Sequence, residues 1–259
     1  MDILRYLKRK KKQHVMNYLK RKRKSSPLHF TLIDPEKDPK KLKKTAETVC
    51  SYGTDAILVG GSQSGHLIYL NDVIQTLKES VDLPVILFPC SHSGLSPYAD
   101  AVLFMSLLNS RSVQYLIDEQ MKGSVLVKNY KLEPLPTGYL IVESGSTTSV
   151  TWTGDVKPLP RQKPEFAVAY ALAAKYFGMK FLYLEAGSGA KLPVPDAMIS
   201  AVKNAVNNGM MVIVGGGVRD EKTAKEKIKA GADIIVTGNI IDDNLSKVKS
   251  IIKAVHRKK

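Results

Sequence analysis

Eight short runs of apolar, largely β-branched residues recur along the chain, and this repetition constrains the fold more than any other feature. Each run is continuously apolar rather than alternating, which is typical of strands buried on both faces of a parallel sheet. The runs are Leu28–Ile33, Ala56–Val59, Val85–Phe88, Ala101–Met105, Tyr139–Val142, Phe181–Leu184, Met211–Val214 and Asp233–Val236.

Segments with helical periodicity, such as Pro39–Tyr52 and Glu165–Phe177, lie between these runs. Eight strand–helix units without a change in composition predict an α/β fold of the (βα)₈ barrel type, as a single domain, in preference to a doubly wound sheet. The gap at residues 109–138 is long and the gap at 89–100 is short. We therefore expect one irregular unit.

The basic charge of the chain is concentrated at its ends. The formal net charge is +15, but residues 1–24 carry 11 basic side chains and one acidic, residues 246–259 carry six basic and no acidic, and residues 25–245 are nearly neutral. We divide the chain accordingly into a basic amphipathic helical extension, the barrel domain, and a basic C-terminal helix end. This distribution argues against nucleic-acid binding. The extension is expected either to plug the barrel or to contact an anionic membrane surface.

The cysteine content and the hydropathy of the chain favour a cytoplasmic location. Cys50 and Cys90 are the only cysteines, and their spacing fits neither a disulfide framework nor a zinc site. No apolar stretch approaches the roughly 18–20 residues that cross a bilayer. We expect a cytoplasmic protein. Any contact with a membrane is expected to be peripheral, at its inner face.

Two glycine-rich loops follow the seventh and eighth runs. Gly215, Gly216 and Gly217 follow one run, and Thr237-Gly238-Asn239 follows the next. In barrels of this type the loops after these strands often bind phosphate through backbone N–H groups. Glycines at tight turns are the alternative, but two adjacent loops favour a phosphate site.

Oxygen ligands for a hard cation follow the first two runs. Asp34 stands directly after the first run, where it could cap the next helix, but Asp38 is better placed for that because it precedes Pro39. Asp34 is then available for Mg²⁺, with the Ser62 hydroxyl of the neighbouring loop as a second ligand.

A carboxylate follows the sixth run. Glu185 is expected to be half-buried at the barrel mouth, where a raised pKa would make it a general base, with an ion pair as the alternative. Strand alternation points Tyr183 into the barrel, where it could orient a substrate hydroxyl. His29 and His92 are interpreted as structural residues.

These residues occur in an ordered set of motifs that resembles the geranylgeranylglyceryl phosphate synthases of archaeal ether-lipid synthesis and the related heptaprenylglyceryl phosphate synthases of bacteria. The resemblance extends from about residue 29 to residue 239. Its motifs are His29–Lys37, Val59–Ser62, Tyr98–Ala101, Phe104–Ser110, Pro160–Pro164, Tyr183–Ala190, Val214–Arg219 and Thr237–Asn239.

The resemblance implies a Mg²⁺-dependent prenyltransferase that joins sn-glycerol 1-phosphate to geranylgeranyl diphosphate. It implies Asp34 and Ser62 as magnesium ligands, and Glu185 as the base that takes the proton from the 3-hydroxyl, with Tyr183 beside it. It also implies a set of glycerol phosphate ligands: Tyr183, Leu184, Glu185, Ala186, Gly187, Ser188, Gly189, Gly216, Gly217, Gly238 and Asn239.

The prenyl tail requires an apolar groove, for which Phe88, Leu95, Tyr98, Phe104 and Leu107 are candidates, and we expect Tyr98 to influence tail length. Family members tend to be homo-oligomers, which we expect here. Two alternatives remain. One is another phosphate-binding barrel, such as a sugar-phosphate isomerase or aldolase, and the other is a non-catalytic membrane or nucleic-acid adaptor that acts through the basic ends.

Overall fold

A computed structural model describes residues 14–35, 39–60 and 69–257. Eight parallel strands form one closed barrel in sequence order, which confirms the predicted (βα)₈ architecture. The strands are β1 (Leu28–Ile33), β2 (Ala56–Val59), β3 (Val85–Leu87), β4 (Ala101–Leu107), β5 (Glu133–Ile141), β6 (Phe181–Glu185), β7 (Met211–Gly215) and β8 (Ile234–Thr237).

Helices surround the barrel and cover its N-terminal end. They are α1 (Val15–Arg23), α2 (Pro39–Tyr52), α3 (Leu70–Ser80), α4 (Glu119–Asn129), α5 (Ser149–Thr153), α6 (Pro164–Tyr176), α7 (Asp196–Val206), α8 (Glu221–Ala230), α9 (Ile240–Asp243) and α10 (Leu245–His256). A π-helical turn, Gln114–Asp118, leads directly into α4. The basic C-terminal segment is therefore mostly α10, whose apolar side chains pack on the barrel.

The third unit is the irregular one. Residues 88–100 are all described, and they contain one 3-10 turn, His92–Gly94, in place of an α-helix. The short gap before β4 had predicted such an irregularity. The missing helix leaves room beside β4 on the outer face of the sheet.

The start of β5 was predicted six residues too late, because two prolines stand near its beginning. Pro134 and Pro136 lack the N–H that a central strand needs. Glu133 donates its N–H to the Asp100 carbonyl on the β4 side, so the alternate residues Pro134 and Pro136 face the other neighbour, β6. The ladder with β6 begins only at Thr137. No hydrogen bond between β5 and β6 is therefore lost because Pro134 and Pro136 lack an N–H.

The plug formed by α1 closes the N-terminal end of the barrel. Val15 and Leu19 are fully buried and pack into the cluster of side chains inside the barrel. Glu133 accepts the first N–H groups of the helix, from Val15 at 2.6 Å and from Met16 at 3.2 Å. This confirms the plug for residues 15–23. Residues 1–13 of the predicted helix lie outside the described residues.

Three aspartates tie neighbouring strands together at this same end. Asp55, Asp100 and Asp233 stand directly before β2, β4 and β8, and each accepts a backbone N–H from an adjacent strand and a side-chain N–H from an outer helix. The backbone donors are His29 (2.9 Å), Val85 (2.8 Å) and Val212 (2.8 Å), and the side-chain donors are His256 (2.8 Å), Lys78 (2.8 Å) and Lys203 (2.6 Å). Asp233 also pairs with Arg23 of the plug, at 2.6 Å.

Replacing Asp233 tests the contribution of these ties. Asp233→Asn leaves Lys203 and Arg23 without their carboxylate, and we expect it to lower the free energy of unfolding by about 3 kcal/mol in urea titrations. Glu47→Gln breaks the exposed Lys43–Glu47 pair and should cost less than about 1 kcal/mol. Equal effects of the two substitutions would contradict this interpretation.

Candidate active site

A cavity of about 700 Å³ opens at the C-terminal ends of the strands. Ten of the predicted site residues line it: Asp34, Tyr183, Glu185, Gly187, Ser188, Gly189, Gly216, Gly217, Gly238 and Asn239. Leu184 and Ala186 do not, because strand alternation turns both side chains toward the outer helices, where they are buried. Ser62 and Asp38 lie outside the described residues.

Glu185 is the last residue of β6, and its carboxylate is more deeply buried than the half-burial that the sequence predicts. The residue is 6% exposed, and its Oε1 accepts the Gly187 N–H at 2.6 Å. Burial raises the pKa of this carboxyl to about 6, although the hydrogen bond from Gly187 opposes that shift. At neutral pH the group is therefore ionised but prepared to accept a proton.

Tyr183 lies beside this carboxylate inside the barrel, as strand alternation predicts. Its ring packs against Phe88 and Tyr139, with centroids 5.5 and 5.2 Å away. Burial raises its pKa well above 10, so the hydroxyl stays protonated. That hydroxyl is buried and lies close enough to the Glu185 carboxylate to lower its pKa, although it makes no well-aligned hydrogen bond among the described residues.

The end of β7 approaches Glu185 so closely that its last residue, Gly215, and the residue after it, Gly216, must both be glycine. A Cβ at Gly215 would overlap the Tyr183 hydroxyl and would lie 2.8 Å from Glu185 Oε2. Gly216 has φ +78°, and a Cβ there would overlap Glu185 Oε1 and lie 2.8 Å from the Gly187 nitrogen. Gly215 belongs to the predicted glycine-rich loop but is not among the predicted phosphate ligands. Its nearness to the sixth strand is visible only in the fold.

Three neighbouring loops that line the cavity mouth carry backbone N–H groups without hydrogen-bond partners among the described residues. In the loop after β6, internal bonds use the N–H groups of Ala186, Gly187 and Ala190. Gly187, predicted as a phosphate ligand, thus already gives its N–H to Glu185. Within the described part of the chain, no hydrogen bond uses the N–H groups of Ser188, Gly189, Gly216, Gly217, Gly238 and Asn239. Such an array is suited to an anion such as phosphate.

The predicted cation site is only partly within the described chain. Asp34 lines the cavity just after β1, and Gly60 after β2 lies on the same wall. The described residues contain no cluster of three or more His, Cys, Asp or Glu side chains that could hold a metal by themselves. A magnesium ion that shares its ligands with substrate phosphates and water needs only one or two protein oxygens, so the Asp34 carboxylate fits such a site.

The cavity continues from the mouth into the space beside β4 that the missing helix leaves. Of the predicted groove residues, Phe88, Leu95, Phe104 and Leu107 line it. Tyr98 does not, since it is buried in the outer layer of the core. Val102 of β4 and Gly123 and Val127 of α4 line the far part of the groove and were not predicted. The influence of Tyr98 on tail length stays a prediction.

The two histidines differ in their surroundings. His29 is fully buried, bonds Thr54 and Thr237 hydroxyls at 3.0 Å each, and has its pKa lowered by burial to about 3, so it is neutral and structural as predicted. His92 lines the cavity and bonds Glu119 at 2.7 Å, which ties the 3-10 turn to α4.

The fold and the site together define a class, the (βα)₈ barrels with a candidate anion site and a buried carboxylate at the C-terminal mouth. Residues 17–257 match the profile of the PcrB family, and the chain belongs to that family.

Relatives within this class carry informative names. The chain is 49% identical over 232 residues to a geranylgeranylglyceryl phosphate synthase of Methanothrix thermoacetophila, covering 88% of this chain and 90% of that protein. It is 50% identical over 228 residues to one of Thermococcus gammatolerans, covering 88% and 87%. The crystal structure of (S)-3-O-geranylgeranylglyceryl phosphate synthase from Thermoplasma acidophilum with sn-glycerol-1-phosphate has a TM-score of 0.89 at 37% identity, covering 94% and 99%.

The raised pKa of Glu185 makes a prediction about stability. Below about pH 4.5 the carboxyl is protonated in both the folded and unfolded states, whereas above about pH 6 the folded state holds a buried charge. As the pH rises from about 4.5 to about 6, the free energy of unfolding of the wild type therefore falls relative to that of Glu185→Gln. The shift corresponds to about 2 kcal/mol, measurable by urea unfolding at pH 4 and pH 7.5.

Glu79→Gln, which removes an exposed carboxylate, is the matched control and should show no such change between the two pH values. If the free energies of unfolding of Glu185→Gln and wild type differ by the same amount at both pH values, the pKa of the Glu185 carboxyl is not raised in the folded state.

Proposed function

We propose that this chain joins sn-glycerol 1-phosphate to geranylgeranyl diphosphate in membrane ether-lipid synthesis. An ether bond forms between the 3-hydroxyl oxygen and the allylic carbon, the bond from that carbon to the diphosphate oxygen breaks, and pyrophosphate leaves. The observation that carries the proposal is the buried Glu185 carboxylate beside an array of unpartnered backbone N–H groups. The names of the PcrB relatives support the same activity.

The N–H array binds the phosphate of the glycerol substrate. The loops after β6, β7 and β8 all line one part of the cavity, so their donors converge on one anion. Anchoring by fixed dipoles leaves the rest of the small substrate within reach of Glu185, and the reaction becomes effectively unimolecular. This assigns Ser188, Gly189, Gly216, Gly217, Gly238 and Asn239 to phosphate binding.

Glu185 takes the proton of the 3-hydroxyl as the ether bond forms. A carboxyl with a pKa of about 6 is ionised at neutral pH, yet is more basic than an exposed glutamate. The Tyr183 hydroxyl lies beside it and orients the attacking hydroxyl by a hydrogen bond. Packing against Phe88 and Tyr139 keeps the Tyr183 ring in place.

The diphosphate of the donor is placed against the Asp34 side of the mouth. Asp34 and Ser62 are the residues that would hold magnesium there, and the bound ion would neutralise charge on the departing diphosphate. The prenyl tail lies in the groove between β4 and α4, where Phe104 and Val127 offer apolar contacts and exclude water.

The direct test incubates the protein with labelled sn-glycerol 1-phosphate, geranylgeranyl diphosphate and Mg²⁺, followed by organic extraction. We expect labelled lipid from the wild type, and a kcat lowered about 10² to 10⁴-fold in Glu185→Gln, because Gln can accept the Gly187 N–H but not the proton. The kcat/KM of the wild type should fall tenfold per pH unit below about pH 6, where Glu185 becomes protonated.

Glu79→Gln should match the wild type. Absence of labelled lipid from the wild type would refute the proposed reaction, and the sugar-phosphate isomerase or aldolase alternative would then be tested. Equal rates for wild type and Glu185→Gln would refute the role of the base.

We also propose that the chain self-associates. Four exposed apolar side chains recur every fourth residue from the start of the π-helical turn into α4: Val113, directly before the turn, and Ile117, Met121 and Val125. An exposed apolar stripe of this kind is typical of protein interfaces.

We also propose that the plug contacts an anionic membrane surface through its basic side chains. None of the described helices is long and apolar enough to span a membrane. Lys20, Arg21 and Lys24 are exposed on the plug, at the end of the barrel opposite the cavity mouth. Deleting residues 1–24 would also remove the buried Val15 and Leu19, so charge substitution is the cleaner experiment.

We expect replacement of Lys20, Arg21 and Lys24 by Gln to weaken co-sedimentation with vesicles that contain anionic lipid, by about 1 kcal/mol per residue. The matched control replaces three lysines of α8, Lys222, Lys225 and Lys229. Equal sedimentation of both variants and the wild type would exclude the membrane role.

A further inference from the structure

The charged side chains of the cavity wall are mostly acidic, which disfavours phosphorylated ligands, and one of them is basic. Asp34, Glu119 and Glu185 line it with carboxylates, and among its described lining residues Arg219 is the only lysine or arginine. Both substrates of the proposed reaction are multiply charged anions. The position of this single cation therefore matters for how the site tolerates them.

Arg219 reaches from the loop after β7 to the loop after β6. Its Nη2 donates to the Ala190 carbonyl at 2.9 Å and is 3.4 Å from the Gly189 carbonyl. These carbonyls belong to the turn that carries the unpartnered N–H groups of Ser188 and Gly189. The guanidinium thus binds carbonyl groups of this turn, while the N–H groups of Ser188 and Gly189 are available to a ligand.

Side-chain packing does not fix the turn at Gly189, whereas Gly187 lies against Thr148 and Ala190 is fully buried. Gly189 has φ +72°, and nothing lies within 4 Å of the position that its Cβ would take, so no side-chain packing fixes its orientation. The Ala190 N–H bonds the Gly187 carbonyl at 3.1 Å, and Ser188 Oγ lies 3.3 Å from Asn239 Oδ1, a long contact. A glycine in open space changes its backbone conformation easily, so the bonds from Arg219 to the Gly189 and Ala190 carbonyls restrain the turn to which Gly189 belongs.

We propose that Arg219 is a positioning residue for phosphate binding. It holds the turn at residues 187–190 so that the Ser188 and Gly189 N–H groups face the phosphate of sn-glycerol 1-phosphate. This inference rests on the proposed function for the identity of the substrate. It deepens that function by naming a residue for which neither the motifs nor the family gave a role.

The role predicts a KM effect without a comparable kcat effect. Arg219→Ala should raise the KM for sn-glycerol 1-phosphate at least tenfold and leave kcat within about twofold, because Glu185 and Tyr183 are not touched. The KM for the prenyl donor should change less. Arg219→Lys keeps the charge and one donor, and should restore part of the lost affinity.

Binding measurements separate this inference from the proposed reaction. Calorimetric titration with inorganic phosphate and with sn-glycerol 1-phosphate requires no turnover, and both affinities should fall at least tenfold in Arg219→Ala. Arg161→Ala is the matched control, because Arg161 also donates to a loop carbonyl, that of Glu143 at 2.8 Å, but does not line the cavity. It should bind both ligands as the wild type does.

Unchanged affinities in Arg219→Ala, or a fall in kcat with unchanged KM, would overturn the positioning role. A wild type that forms no lipid but binds phosphate through Arg219 would overturn the proposed reaction and leave the role of this arginine in anion binding intact.

Discussion

Each of the eight strands is hydrogen-bonded to a neighbour on both sides, and this closed ring is the constraint on which the rest of the structure depends. The parallel ladders bring the ends of β6, β7 and β8 side by side, and closure of β8 onto β1 brings Asp34 to the same end of the barrel. It also fixes which side chains point inward. Alternation along β6 places Tyr183 and Glu185 inside the barrel and sends Leu184 to the outer layer. The pairing of base and anion site follows from that geometry.

The two ends of the barrel are built on opposite principles. At the N-terminal end, Asp55, Asp100 and Asp233 are fully used by strand N–H groups and by side chains of the outer helices, and α1 fills the opening. At the C-terminal end, several backbone N–H groups lack partners among the described residues, and Glu185 bears a charge in a buried place. Satisfied polar groups at one end stabilise the fold, while unsatisfied groups at the other are available to ligands.

Much of this arrangement could be predicted from the periodicity of apolar residues and from the glycine and acidic residues that follow the strands. Continuous apolar runs located the strands, and the glycines after β7 and β8 together with Glu185 after β6 indicated the site. The start of β5 could not be predicted, because the tolerance of Pro134 and Pro136 depends on where β6 begins to pair. The use of the Gly187 N–H by Glu185 and the reach of Arg219 to Ala190 are contacts of the folded loops, which no local pattern encodes.

The central claim is that one geometry holds the phosphate and presents a hydroxyl to Glu185. A crystal structure of the complex with sn-glycerol 1-phosphate tests it most directly. The account predicts the phosphate on the N–H groups of Ser188, Gly189, Gly216, Gly217, Gly238 and Asn239, with the 3-hydroxyl within about 3 Å of the Glu185 carboxylate. A phosphate bound elsewhere, or a 3-hydroxyl directed away from Glu185, would contradict it.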